Sequence, residues 1–149
     1  MSSLPPELAK PVEQLRAKLV KINTSEQTCM IDIVTSAARG TSLPEVQAVM
    51  ARCRQASAAA ATTAIDTFRS ECSAICTQTN SLTKAAIATA IATSVSDFWT
   101  KSESRAAAFL AEVAALLPAH GPDKTTQAIN NACSDRTSSI NRYLEQLAT

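Results

Sequence analysis

The sequence predicts an all-α fold, an antiparallel up-down-up-down four-helix bundle stabilised by cysteines, with five helices if the first segment breaks near Asn23. Three observations predict it. Proline and glycine, the strongest local breakers of structure, are absent between Glu45 and Leu117. Apolar residues recur at steps of three and four along each long segment, which is the seam of a helical bundle and not the alternation of a strand. The connections between segments are only a few residues long, so successive helices must run antiparallel side by side.

The first segment covers 5–39 and carries the clearest amphipathic stripe: Leu4, Leu8, Val12, Leu15, Leu19 and Ile22. Thr24 followed by Gln27 has the spacing of a capping box, which places a break near Asn23. Gly40 follows Arg39 as a C-terminal stop should. The second segment covers 42–78. Ser42 with Glu45 forms a second capping box, and Pro44 sits in the first turn, where a missing N–H costs little. Its stripe runs through Val46, Val49, Cys53, Ala56, Ala60, Ala64, Phe68, Cys72 and Ile75. The polar run Thr77 to Ser81 is the next turn, with Asn80 as a left-handed C-cap and Ser81 as the following N-cap. The third segment covers 81–117 with Ile87, Ile91, Val95, Phe98, Ser102, Ala106, Phe109, Val113 and Leu116 on its stripe, and the stretch Asp97–Glu103 is the place where it would be interrupted. Pro118 and Gly121 end it. The fourth segment, 122–148, continues the pattern through Ile129, Cys133, Arg136, Ile140, Tyr143 and Leu147. The chain, 149 residues, has the size of one helical-bundle domain over 1–149.

An antiparallel pair places residues equally far from the turn at equal height. Cys29 and Cys53 lie equally far from the turn near residue 41 and should face each other. Carried through the other two turns, the same rule brings Cys133 level with both. Three thiols at one height on three helices read as a disulfide with a third thiol beside it, as three buried free thiols, or as a thiolate metal site. The leading expectation is a Cys29–Cys53 disulfide, with no metal. Cys72 and Cys76 form a separate pair one turn apart, about 30 Å along the axis from Cys53. An odd count of five leaves at least one thiol unpaired or intermolecular.

Charge and motifs exclude several functions. Fourteen basic residues nearly cancel thirteen acidic ones for a net charge of +1, which argues against nucleic acid and against a polybasic membrane anchor. No stretch is apolar enough to form a transmembrane segment. Glycine-rich phosphate loops, zinc-protease and serine-hydrolase motifs are missing, and no pairing of glutamate with histidine suits a di-iron bundle. The single histidine, His120, lies in a turn, and Arg136 reads as a residue that lays its stem on the core and exposes its head. No enzyme activity and no cofactor are expected.

Binding is the expectation that remains. Trp99 is level with Ala60 and Ala61, and Val20, Phe98 and Ile140 share that height. Small residues opposite the bulkiest ones either fill space by complementarity or leave an apolar cavity with the indole on one wall. The expected function is a non-enzymatic helical bundle that binds a hydrophobic or amphipathic small molecule or lipid, with the N-terminal helix as its mobile or partner-binding element. The rival is a structural or interaction module that self-associates through alanine-rich helices, a possible homodimer; thiolate metal binding is a weaker third. In general look the pattern resembles helical lipid-carrying bundles, an architectural likeness that assigns no residue a role. Five cysteines and a glycosylation sequon at Asn23-Thr24-Ser25, exposed if the helix breaks there, point to a secreted protein. A cytoplasmic protein with reduced thiols is the alternative, since Met1 to Pro5 lacks the apolar region of a signal peptide.

Overall fold

The computed structural model describes residues 4–40 and 42–148, without the side chains of Leu43, Ala114 and Ala148. Of the stretch read for a signal peptide, Met1 to Ser3 lie outside the described residues. Four helices follow one another: α1 (Pro6–Ala38), α2 (Leu43–Thr79), α3 (Leu82–His120) and α4 (Pro122–Ala148). No strand is present among the described residues. At 1.5 Å per residue the longest, α3, extends about 58 Å. α1 packs on α2 and α4, and α3 packs on the same two, so the helices form an antiparallel four-membered ring in cross-section.

The turns form where the capping chemistry requires. Ser42 Oγ accepts from Glu45 N–H at 3.4 Å and Ser81 Oγ accepts from Lys84 N–H at 3.2 Å. Asn80 ends α2 at φ 50° and ψ 46°, a left-handed cap that asparagine tolerates. Gly40 and Gly121 take φ of 103° and 84°, which a side chain would strain. α3 runs three residues past the expected stop at Leu117: Pro118 lies inside its last turn, and the N–H of Gly121 closes on Leu117 O at 3.0 Å.

Two expectations fail in α1. The helix is continuous through Asn23, so the bundle has four helices and not five. Asn23 itself is 1 % exposed, with Nδ2 donating to Cys133 O at 2.9 Å and to Thr137 Oγ1 at 2.8 Å. A glycan on that nitrogen is incompatible with this packing, so the exposed sequon is corrected to a buried cross-helix tether. The capping-box residues are engaged elsewhere as well: Thr24 Oγ1 donates to Val20 O, and Gln27 Nε2 donates to Asn130 Oδ1 on α4. The amphipathic stripe of α1 faces inward: Leu8, Val12, Leu15, Leu19 and Ile22 are all buried. α3 is likewise unbroken through Asp97–Glu103.

The apolar core is divided. One cluster gathers Leu8 to Ile22 of α1, Ala61 to Cys72 of α2, Ala88 to Trp99 of α3, and Ile140 and Leu144 of α4. A smaller one gathers Met30, Ile33 and Val34, then Val46 and Met50, Val113, Ile129 and Cys133. Every helix passes from one cluster to the other, and polar residues occupy the crossing: Asn23 and Glu26, Arg54 and Ser57, Ser102 and Glu103, Arg136 and Thr137.

Candidate functional site

The polar layer is built around Arg136, which the sequence reading placed with its head in solvent. Its side chain is only 11 % exposed. Nη1 donates to Glu26 Oε2, Nη2 donates to Glu103 Oε1 at 2.6 Å, and Nε donates to Ser102 Oγ at 2.7 Å. The guanidinium lies over the Trp99 ring, 4.4 Å from its centroid, in a cation–π contact. Arg54 completes the layer, with Nη2 donating to Glu103 O at 2.9 Å and paired to Glu103 Oε2 at 3.5 Å. Two carboxylates and two guanidiniums thus neutralise one another in the middle of the bundle, where a lone charge would be costly.

The balance is imperfect. Burial pushes the Glu26 carboxyl above the ordinary carboxylate range; Glu103 pushes in the same direction and Arg136 opposes both. Glu26 Oε1, Arg54 Nη1 and Trp99 Nε1 have no partner among the described residues. Glu26 and Arg54 both border a small internal space of about 10 Å³ next to the disulfide.

Cys29 and Cys53 form the expected disulfide, with Cα atoms 6.8 Å apart. It joins α1 to α2 beside the polar layer. The three-thiolate site on Cys29, Cys53 and Cys133 therefore does not exist. Cys133, Cys72 and Cys76 are free and buried. Burial pushes the thiols of Cys72 and Cys133 up to about 11, so both stay protonated at neutral pH. None of the three offers an exposed sulfur to lock a covalent dimer.

The indole-walled cavity is not formed. Trp99, Ala61 and Ile140 are core side chains at 4, 2 and 0 % exposure. Val20 packs against the same core. Phe98 stacks on Tyr143, centroids 4.1 Å apart, and lines a different cleft between α3 and α4 of about 370 Å³ together with Arg105, Phe109 and Cys133. Ala60 points the other way and is exposed. The complementarity of small and large residues is packing.

Ala60 instead lies in a groove of about 610 Å³ between α1 and α2. Ile22 from α1 and Ala56, Ala60 and Ala64 from α2 supply its apolar surface. The Cys29–Cys53 bridge closes one end; Lys18 and Lys21 rim the other, with Thr63 and Thr67 across from them. Alanine makes this groove, since larger residues at 56 and 60 would fill the seam between the helices. Glu26 borders it too, but its carboxylate is turned inward to Arg136. The polar layer was legible only through pairing: Glu26 and Arg54 are equidistant from the first turn, and Glu103 and Arg136 are equidistant from the third, the same rule that pairs the cysteines.

No helix among the described residues is long and apolar enough to cross a membrane. The chain matches no family model, no curated protein and no solved structure.

Proposed function

We propose that this protein is a non-enzymatic, secreted carrier that binds a hydrophobic or amphipathic small molecule in the groove between α1 and α2. The observation that carries the reading is the groove itself, an apolar trough floored by alanines at Ala56, Ala60 and Ala64 on a rigid two-helix wall stapled by a disulfide. Pre-formed concave apolar surface with a few polar groups at one end is the general form of a small-molecule site. The disulfide supports an oxidising compartment.

The test is titration with the neutral fluorescent amphipath N-phenylnaphthylamine, read by the probe's own emission because Trp99 does not line the groove. Saturable binding is expected. Ala60→Trp, at an exposed position that the core does not need, should weaken it at least tenfold, while Ser139→Trp in the α3–α4 cleft should leave it unchanged. A dark probe, or loss of binding only in the Ser139 variant, contradicts the carrier reading. Sedimentation of the same sample checks the rival reading of a self-associating module, which predicts a dimer or larger species.

A further inference from the structure

We infer that the ligand of the α1–α2 groove carries an anionic head, a carboxylate on an apolar chain, bound with the head between Lys18 and Lys21 and the tail running to the Cys29–Cys53 bridge. The inference rests on the carrier reading and adds the chemistry and orientation of the occupant. The groove is polarised along its length. From Cys29 to Lys18 it spans about 16 Å of α1 by the helical rise, so one end is a sulfur wall and the other a pair of ammonium groups. Between them Ile22, Ala56, Ala60 and Ala64 offer contact to an alkyl chain, interrupted by the hydroxyls of Ser25 and Ser57.

The two lysines are available to a ligand. Neither forms an ion pair among the described residues, whereas Arg16, Lys84, Arg69, Arg54 and Arg136 each face a carboxylate of the chain. They lie three residues apart on one helix, so their heads stand about one turn from each other at the groove mouth. The one acidic side chain bordering the groove, Glu26, does not cancel them. Its Oε2 is held by Arg136, and its unpartnered Oε1 is buried beside Arg54, whose Nη1 is unpartnered too. Both atoms lie inside the bundle, away from Lys18 and Lys21, so the groove mouth stays cationic. Charge complementarity therefore selects an anionic head over a neutral or cationic one.

Displacement of bound N-phenylnaphthylamine by a dodecyl carboxylate, alcohol and amine tests this on the intact oxidised protein. The carboxylate should displace the probe about fivefold better than the alcohol, the size expected of two solvent-exposed ion pairs, and the amine should be the weakest. In the Lys18→Gln/Lys21→Gln double variant the carboxylate and alcohol should become equal, with the alcohol unchanged from wild type. Raising salt should narrow the wild-type gap in the same way. Equal displacement by acid and alcohol in the wild type, or preference for the amine, overturns the anionic head while leaving the groove in place. Failure of the neutral probe to bind at all strikes the carrier reading instead.

Discussion

The two halves of the bundle are held together differently. The half that contains the start of α1, the end of α4 and the α2–α3 turn has a continuous apolar core from Leu8 to Ile22, with Phe68, Val95 and Trp99 filling its centre. The half that contains the α1–α2 and α3–α4 turns has fewer than half as many buried apolar residues in its cluster, Met30, Val34, Met50 and Ile129 among them. The disulfide sits at the edge of this poorer half and next to the charged layer that separates it from the richer one. A small core gains most from a covalent staple, because it has least buried area to oppose chain entropy. The disulfide and the polar layer therefore act at one boundary: the bridge holds α1 and α2 where the apolar packing is interrupted.

The largest effect should come from breaking the layer. Arg136→Met leaves Glu26 and Glu103 as buried carboxylates without their shared cation, and urea unfolding should show a loss of about 3–5 kcal/mol. A loss under about 1 kcal/mol means the layer is wetter than its burial implies. Next, the Cys29→Ser/Cys53→Ser double variant removes a cross-link over 24 residues of sequence separation and should cost about 3 kcal/mol in urea unfolding, with a lower midpoint and a slope that does not fall if the two halves still unfold together.

Smaller, but diagnostic in sign, is the pH dependence of Glu26→Gln. In the folded chain Glu26 keeps its proton to a higher pH than in the unfolded one. Its contribution to stability is therefore fully present below the ordinary carboxyl range and declines as pH rises through the raised folded value. The Tm deficit of Glu26→Gln should accordingly be greatest at acid pH and shrink towards neutrality. A deficit that grows towards neutrality means that the Arg136 ion pair outweighs burial. The smallest perturbation is chemical labelling. Cys72, Cys76 and Cys133 should resist iodoacetamide at pH 8 in the native protein and react together after unfolding, each molecule then taking up three labels. Labelling of one thiol under native conditions would mark an opening in the half that contains it.

Heights along the bundle were legible in the sequence; rotations about each helix were legible less well. Turn residues at Gly40, Asn80 and Gly121 set three reflection points, and those put Cys29 opposite Cys53. The α2 stripe is rotated from its expected face. Sequence spacing selects Val49, Ala56 and Ala60, while the core takes Met50, Ser57 and Ala61, one residue further round. The side chains expected inside at 56 and 60 became the groove, and the cavity expected beside Trp99 became packing. Periodicity cannot resolve such a rotation in an alanine-rich helix, because alanine suits a core and a surface alike. Asn23 failed for another reason. Thr24 with Gln27 three residues on has the local signature of a cap, and only the carbonyl of Cys133 and the hydroxyl of Thr137, more than a hundred residues away, reveal a buried tether at Asn23. Arg136 likewise needed its partners on α1 and α3 before its burial made sense.

Residue-resolved amide hydrogen exchange, on the oxidised protein and after reduction, tests the divided core most directly. Reduction should lower protection around Met30 to Val34, Val46 to Met50 and Ile129, and leave the amides around Phe68, Ile91 and Val95 slow. Uniform loss along all four helices, or no change anywhere, contradicts a bundle of two unequal cores joined at a charged seam.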